Sequence, residues 1–271
     1  MPELPEVETT RLGLLPHVQG QQISKVIVRD RRLRWPVPVD FARRLKGCTV
    51  RDVLRRGKYL IWDCGSGYVL SHLGMSGSLR VVTVLQLPEK HDHVDFNFDS
   101  GIAIRYTDPR RFGAMIWIPG RNVTHPLLDS LGPEPLAPEF NATQLWSAAR
   151  GRSVSIKEFI MNSHVVVGVG NIYASESLFL AGIHPRRAAG KISMARAERL
   201  VDAVKQTLAK AIRAGGSSLR DYVQANGELG YFQVNAFVYG REGQPCRICK
   251  TPIRAIRQGQ RSTYYCPACQ T

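Results

Sequence analysis

Between His93 and Asp108 the chain alternates strictly. Val94, Phe96 and Phe98 take turns with Asp95, Asn97 and Asp99, the pattern breaks at Ser100-Gly101, and Ile102, Ile104 and Tyr106 resume it. A period of two on both sides of a turn predicts a β-hairpin with one buried face. Residues 23–28, 59–62, 68–73 and 79–84 are further short runs rich in β-branched or aromatic side chains. Together they predict a sandwich or barrel-like β domain behind one opening helix.

After about residue 130 the period changes. Five prolines between Pro119 and Pro138 mark the crossing. From Ser193, placed as an N-cap, Leu200, Val201, Val204, Leu208, Ala211 and Ile212 recur at helical spacing until Gly215-Gly216. Residues 154–164 and 171–180 predict two shorter helices, joined by an apolar connection with glycines at 168 and 170. No internal repeat or low-complexity tract is present.

Composition narrows the function classes. Of 271 residues, 44% are hydrophobic and 22% charged, which excludes a disordered or collagen-like chain. Thirty-seven Lys and Arg against 22 Asp and Glu leave a net charge of +15. A polyanion, nucleic acid first, is the expected partner. No run of about 18 apolar residues is present to span a membrane, and the acidic start MPELPEVETT lacks the apolar core of a signal peptide. A cytoplasmic location is therefore expected.

Cysteine spacing adds a metal. Cys246 and Cys249, then 16 residues, then Cys266 and Cys269 form two C-x2-C pairs, the pattern in which four thiolates hold one zinc ion. Two disulfides are the alternative, disfavoured in a reducing compartment. A four-cysteine shell leaves no position for water or substrate, so the zinc is expected to be structural. Cys48 and Cys64 stand apart and read as small buried hydrophobes.

The N-terminus carries candidate chemistry. Removal of Met1 leaves Pro2 as a free secondary amine, and an α-amino group titrates near 7.7–8.0, so roughly a tenth is unprotonated at neutral pH. Such an amine can attack a sugar carbon and yield an iminium. Glu3 beside it, kept protonated by partial burial, can act as proton donor. Read alone, the hexapeptide MPELPE favours a plain helix start, with Pro5 and the acids Glu6 and Glu8 where a first turn favours them.

Four separated motifs change that balance: MPELPEVET at residues 1–9, DPRRFG at 108–113, VVGVGNIYASE at 166–176 and the paired C-x2-C module. In this order, and along essentially the whole chain, the sequence resembles the bacterial formamidopyrimidine-DNA (8-oxoguanine-DNA) glycosylases. The resemblance implies an α+β multidomain protein. Its parts are an N-terminal β-sandwich with a flanking helix over 1–130, a helical domain with a helix-two-turns-helix element over 131–238, and a C-terminal β-hairpin zinc finger over 239–271. It also implies a monomer that excises oxidised purines from damaged duplex DNA and cleaves the strand by β,δ-elimination. Pro2 is then the nucleophile and Glu3 the proton donor, with Glu6 a second glutamate near the site.

A stacked duplex hides C1′, so the target nucleotide must be flipped out and its place filled. The resemblance gives that task to Met75, Arg110 and Phe112, with Arg111 as a further DNA contact. A thioether and an aromatic ring can wedge between bases while a guanidinium bonds the orphaned cytosine. It assigns His72 to a backbone phosphate and counts Lys58 and Arg261, at the phosphate beside the lesion, among the catalytic residues. Asn171 opens a helix after Gly168-Val169-Gly170, so its side chain and nearby backbone N–H groups can meet a phosphate at the helix's positive end. Lys157, a further DNA-binding candidate, matches a lysine near the active site, and residues 215–233 match a loop over the extruded base. Two other readings remain. The related endonuclease VIII branch prefers oxidised pyrimidines, and Leu4 argues against it because that branch commonly begins Pro-Glu-Gly-Pro-Glu. A non-enzymatic zinc protein binding damaged nucleic acid would keep the charge and the cysteines but have no use for Pro2.

Overall fold

The computed structural model describes residues 2–216 and 236–271. They form two compact units. One runs to Asp129 and takes in Gly215 and Gly216; the other contains Ser130–Ala214 and residues 236–271.

The first unit opens with α1 (Leu4–Val18), β1 (Ile23–Val28) and α2 (Phe41–Leu45). Seven strands follow: β2 (Asp52–Arg56), β3 (Tyr59–Asp63), β4 (Gly67–His72), β5 (Ser78–Thr83), β6 (Asp92–Phe98), β7 (Ile102–Thr107) and β8 (Ala114–Pro119). The short helix α3 (Pro126–Asp129) comes last. The strands pair antiparallel into two four-stranded sheets, β1-β6-β7-β5 and β2-β3-β4-β8. Their inner faces share one core: Val53, Leu60 and Trp62 from one sheet meet Ile23, Phe96 and Ile104 from the other. Trp62 stacks on Phe96 at 5.4 Å between ring centres. Helix α1 turns Leu4, Val7, Leu14 and Val18 inward, a helical spacing that covers the sandwich from the flank.

The hairpin predicted over 93–108 is β6–β7, but its polar face is not solvated. Asp95 is buried opposite Arg105, which is buried too and grips it with Nε and Nη2, each at 2.9 Å. The same guanidinium donates to the carbonyls of Gln86 and Leu87 at 2.8 and 3.1 Å, and Arg29 adds a bond to Asp95 at 2.6 Å. The segment after β5 therefore covers a charged layer that alternation alone reads as facing water. Cys64 is buried as expected, which pushes its thiol up to about 12, whereas Cys48 is only partly buried.

In the second unit α4 (Ala142–Ala149), α5 (Ile156–Ile160), α6 (Asn171–Leu180) and α7 (Met194–Arg213) precede the hairpin β9 (Arg254–Gln258) and β10 (Arg261–Tyr265). Helix α7 begins where expected: the Ser193 hydroxyl accepts the N–H of Arg196 at 3.3 Å. Helix α5 is shorter than the predicted 154–164. Ser155 caps its start, and beyond it the Asn162 side chain bonds the N–H of His164 at 3.0 Å, a local turn that competes with further helix. Gly259 and Gln260 both have positive φ, the geometry of a two-residue hairpin turn, and this places Arg261 at the first position of β10.

Candidate active site and nucleic-acid interface

The start of the chain folds as the helix start that MPELPE offers. Pro2 is buried. Glu3, 2% exposed, is the N-cap of α1, and the Glu6 carboxylate reaches back to accept its backbone N–H at 2.7 Å. This capping arrangement satisfies an amide that the helix leaves open and fixes the direction in which Pro2 departs from it. Gly216, with φ +82°, comes so close to Glu6 that an added Cβ would lie 3.3 Å from its Cγ and Oε1. Apart from Gly215 and Gly216, the loop expected over 215–233 lies outside the described residues.

Glu8 has a supporting place that its sequence position did not disclose. Its carboxylate holds Arg11 at 2.7 Å and Arg55 at 2.8 Å, and Arg55 also donates to the carbonyl of Gly57, next to Lys58. Burial pushes the Glu8 carboxyl up, but the two guanidinium groups outweigh it and hold the group below its ordinary range. The β2–β3 turn carrying Lys58 is thus tied to α1.

His72 ends β4. Its Nδ1 accepts the N–H of Gly74 at 3.0 Å, so in the neutral ring the proton sits on Nε2. Burial, with the nearby charges of Lys58 and Arg34, pushes its pKa down to about 4. At neutral pH it is an uncharged donor.

Two loops carry the residues assigned to insertion. Met75 occupies the half-buried turn between β4 and β5, while Arg110 and Phe112 are exposed between β7 and β8. The Arg110 guanidinium lies 4.8 Å from the centre of the Phe112 ring. Arg111, at positive φ, turns aside and bonds Asp30 at 3.2 Å. A Cβ on Gly74 would stand 2.5 Å from the carbonyl carbon of Phe112, so the two backbones touch and the turn admits only glycine there. Beneath both loops lies Asp108, fully buried. Its importance was hidden in the motif because Arg110 and Phe112 drew the functional reading.

In the second unit, Lys157 and Asn171 meet the zinc-finger hairpin. Lys157 is 1% exposed; its ammonium donates to Asn171 Oδ1 at 2.5 Å and Thr263 Oγ1 at 2.6 Å, while Asn171 Nδ2 donates to the carbonyl of Ser262 at 2.9 Å. These bonds tie α5, α6 and β10 together beside Arg261. The Arg261 side chain is exposed, and among the described residues no acid pairs with it. Glu176 of α6, 1% exposed, was missed by sequence reasoning. It accepts the backbone N–H groups of Phe237, Val238 and Tyr239 at 2.8, 3.0 and 2.8 Å.

The sulfurs of Cys246, Cys249, Cys266 and Cys269 lie within 4.8 Å of one another. A zinc–sulfur bond of about 2.3 Å puts tetrahedral sulfurs about 3.8 Å apart, and the pairs Cys246–Cys269 and Cys249–Cys266 stand at 3.9 and 3.4 Å. The cluster fits one structural zinc, and the four cysteines complete its shell.

Models of the formamidopyrimidine-DNA glycosylase N-terminal domain, of that glycosylase's H2TH domain, and of a zinc finger found in FPG and IleRS match residues 1–115, 131–223 and 243–271. The chain belongs to the formamidopyrimidine-DNA glycosylase family. A relative of that name from Thioalkalivibrio sulfidiphilus is 59% identical over the full length of both chains. The Lactococcus lactis glycosylase bound to Fapy-dG containing DNA superposes with a TM-score of 0.90 at 33% identity, covering 99% of this chain and 100% of the other. The same enzyme with oxidised-pyrimidine containing DNA gives 0.92 at 34%, covering all of both. The resemblance drawn from four motifs and the expected β-sandwich, H2TH domain and zinc finger are thereby established. No described helix is long and apolar enough to cross a membrane.

Proposed function

We propose that the protein is a bifunctional glycosylase and lyase of base excision repair that removes oxidised purines, 8-oxoguanine and formamidopyrimidines, from duplex DNA. What carries this reading is Pro2 and Glu3, buried at the head of α1 with the Glu3 amide tied to Glu6, in a chain of this family. With Met1 removed, the Pro2 nitrogen bonds to C1′ as the bond from C1′ to the damaged base breaks. Glu3 supplies the proton for the departing base or the opening sugar ring. Loss of the amine proton and ring opening leave a cationic iminium. Removal of a C2′ proton then expels the 3′ phosphate, and a second elimination expels the 5′ phosphate, leaving a gap with phosphate at both ends.

The nucleotide must leave the stack for this to happen. Met75, Arg110 and Phe112 fill its place, with Arg111 at the edge of the same loop. His72, as an uncharged donor, joins Lys58, Asn171 and Arg261 on the phosphates. Lys157 is too deeply buried for a phosphate contact and acts through Asn171 and β10. Zinc supplies no chemistry; it folds the hairpin that presents Arg261. The enzyme works as a cytoplasmic monomer and needs no protein partner.

Borohydride trapping tests the mechanism. A covalent adduct with 8-oxoguanine DNA, sequenced to Pro2 and abolished by Pro2→Gly, is the expected result. Lesion binding with neither adduct nor strand cleavage would overturn it. The relative solved with oxidised-pyrimidine DNA keeps a second substrate reading in view. Competition between duplexes carrying 8-oxoguanine opposite cytosine and thymine glycol opposite adenine decides between them, with preference for the first expected.

A further inference from the structure

We propose that the buried carboxylate of Asp108 is a positioning residue that locks the Met75 turn and the Arg110–Phe112 loop into one rigid wedge. This rests on the reading of Met75, Arg110 and Phe112 as the side chains inserted into the duplex.

Asp108 follows β7, fully buried under the two loops. Its Oδ1 accepts the Ser76 hydroxyl at 2.9 Å. Its Oδ2 accepts the Tyr106 hydroxyl at 3.0 Å and the backbone N–H of Gly113 at 2.9 Å. One side chain therefore holds the residue after Met75 and the residue after Phe112. Ser76 closes the ring: its Oγ accepts the backbone N–H of Arg110 at 3.3 Å. The Asp108 backbone is pinned as well, its carbonyl bonded by His93 Nε2 at 2.8 Å and by the N–H of Arg111 at 3.2 Å, its own N–H by the carbonyl of His91 at 3.0 Å.

The glycines around this node show how little room it has. A Cβ on Gly113 would lie 1.8 Å from the Tyr106 hydroxyl, and one on Gly77 would lie 2.2 Å from the carbonyl oxygen of Leu73 and 2.9 Å from that same hydroxyl. The Tyr106 oxygen thus fills the space between the loops, held there by Asp108. Among the described residues the carboxylate has no cationic partner within ion-pair distance; hydroxyls and an amide satisfy it. Such an arrangement is specific in direction, because each donor must stay in place or leave a buried charge unsatisfied.

Three side chains carried on separate, floppy loops would each lose freedom on entering DNA. A wedge set beforehand avoids that cost, so Asp108 acts on base extrusion rather than on bond breaking. Asp108→Asn keeps the volume but turns an amide N–H2 toward a donor. Its excision of 8-oxoguanine opposite cytosine should fall at least tenfold, while elimination at a preformed abasic site, where no stacked base has to be extruded, falls less than threefold.

The deciding measurement is a double-mutant cycle on excision with Met75→Ala. If Asp108 acts through the wedge, Asp108→Asn costs at least threefold less in the Met75→Ala background than in the wild type. Additive losses, with Met75→Ala itself harmful, overturn the positioning role and leave the insertion reading standing. A Met75→Ala enzyme of undiminished excision rate removes the insertion reading, and this proposal with it. Should Asp108→Asn fail to fold, Ser76→Ala takes its place in the cycle, since it deletes only the half-buried hydroxyl joining the two loops. About a threefold loss, again coupled to Met75, is expected there; no loss or no coupling refutes the proposal.

Discussion

The Glu6 carboxylate accepts the backbone N–H of Glu3 across 2.7 Å, both residues being buried, and this bond holds the turn from which Pro2 leaves α1. The first turn of α1 is thus both a helix start and the mount of the proposed nucleophile, so the two readings of MPELPE describe one arrangement. Replacing Glu6 with Ala removes the capping bond, a loss of about 1 kcal/mol in helix stability, and frees Pro2 to swing. A fall in borohydride trapping much larger than the small drop in Tm is expected. Trapping at the wild-type rate would show that Pro2 needs no such mount.

His72 gives a pH prediction. Its folded pKa of about 4 lies below the ordinary 6.5, so between those values the unfolded chain binds more protons than the folded one. The stability it contributes is complete above pH 6.5 and is lost as pH falls through 6.5 toward 4, at most about 3 kcal/mol. Denaturant unfolding at pH 7 and pH 4.5 should show a smaller acid loss for His72→Gln than for the wild type. Equal losses would mean that the ring protonates in the folded protein without penalty.

How much of this the sequence disclosed depended on the range of each interaction. Local grammar was legible: the Ser193 cap, the alternation in β6 and β7, and the C-x2-C pairs needed only near neighbours. The four motifs singled out residues whose side chains reach the surface, such as Arg110, Phe112 and Arg261. What stayed hidden were polar groups whose partners lie far along the chain. Arg105 looks like a solvent-facing alternate until the segment holding Gln86 and Leu87 covers it, and Asp108 looks like the first letter of a loop motif until Ser76, 32 residues away, ties it to the Met75 turn. No periodicity encodes such meetings.

Glu176 is the clearest case of a long-range polar anchor in the second unit. Burial raises its pKa, and the three amides of residues 237–239 pull against that rise by favouring the charged form. Glu176→Gln offers one acceptor oxygen where two were used and points an amide N–H2 at a donor. A destabilisation of about 2 kcal/mol, seen as a Tm lowered by roughly 4–8 °C, is expected. An unchanged Tm would show that the three amides find water or other acceptors at no cost.

Lys157 and Arg261 make opposite predictions about salt. Arg261 is exposed, and as a phosphate contact it should add about one unit to the slope of log affinity against log salt concentration. Arg261→Ala therefore weakens binding and flattens that slope by about one. Lys157 spends its charge inside the protein, on Asn171 and Thr263. Lys157→Met should weaken binding, because Asn171 and β10 lose their shared anchor, yet leave the slope unchanged. Titrations of lesion duplex from 50 to 200 mM salt separate the two. If Lys157→Met also flattened the slope by a full unit, its ammonium would be touching phosphate in the complex, and the buried position seen here would have to open when DNA binds.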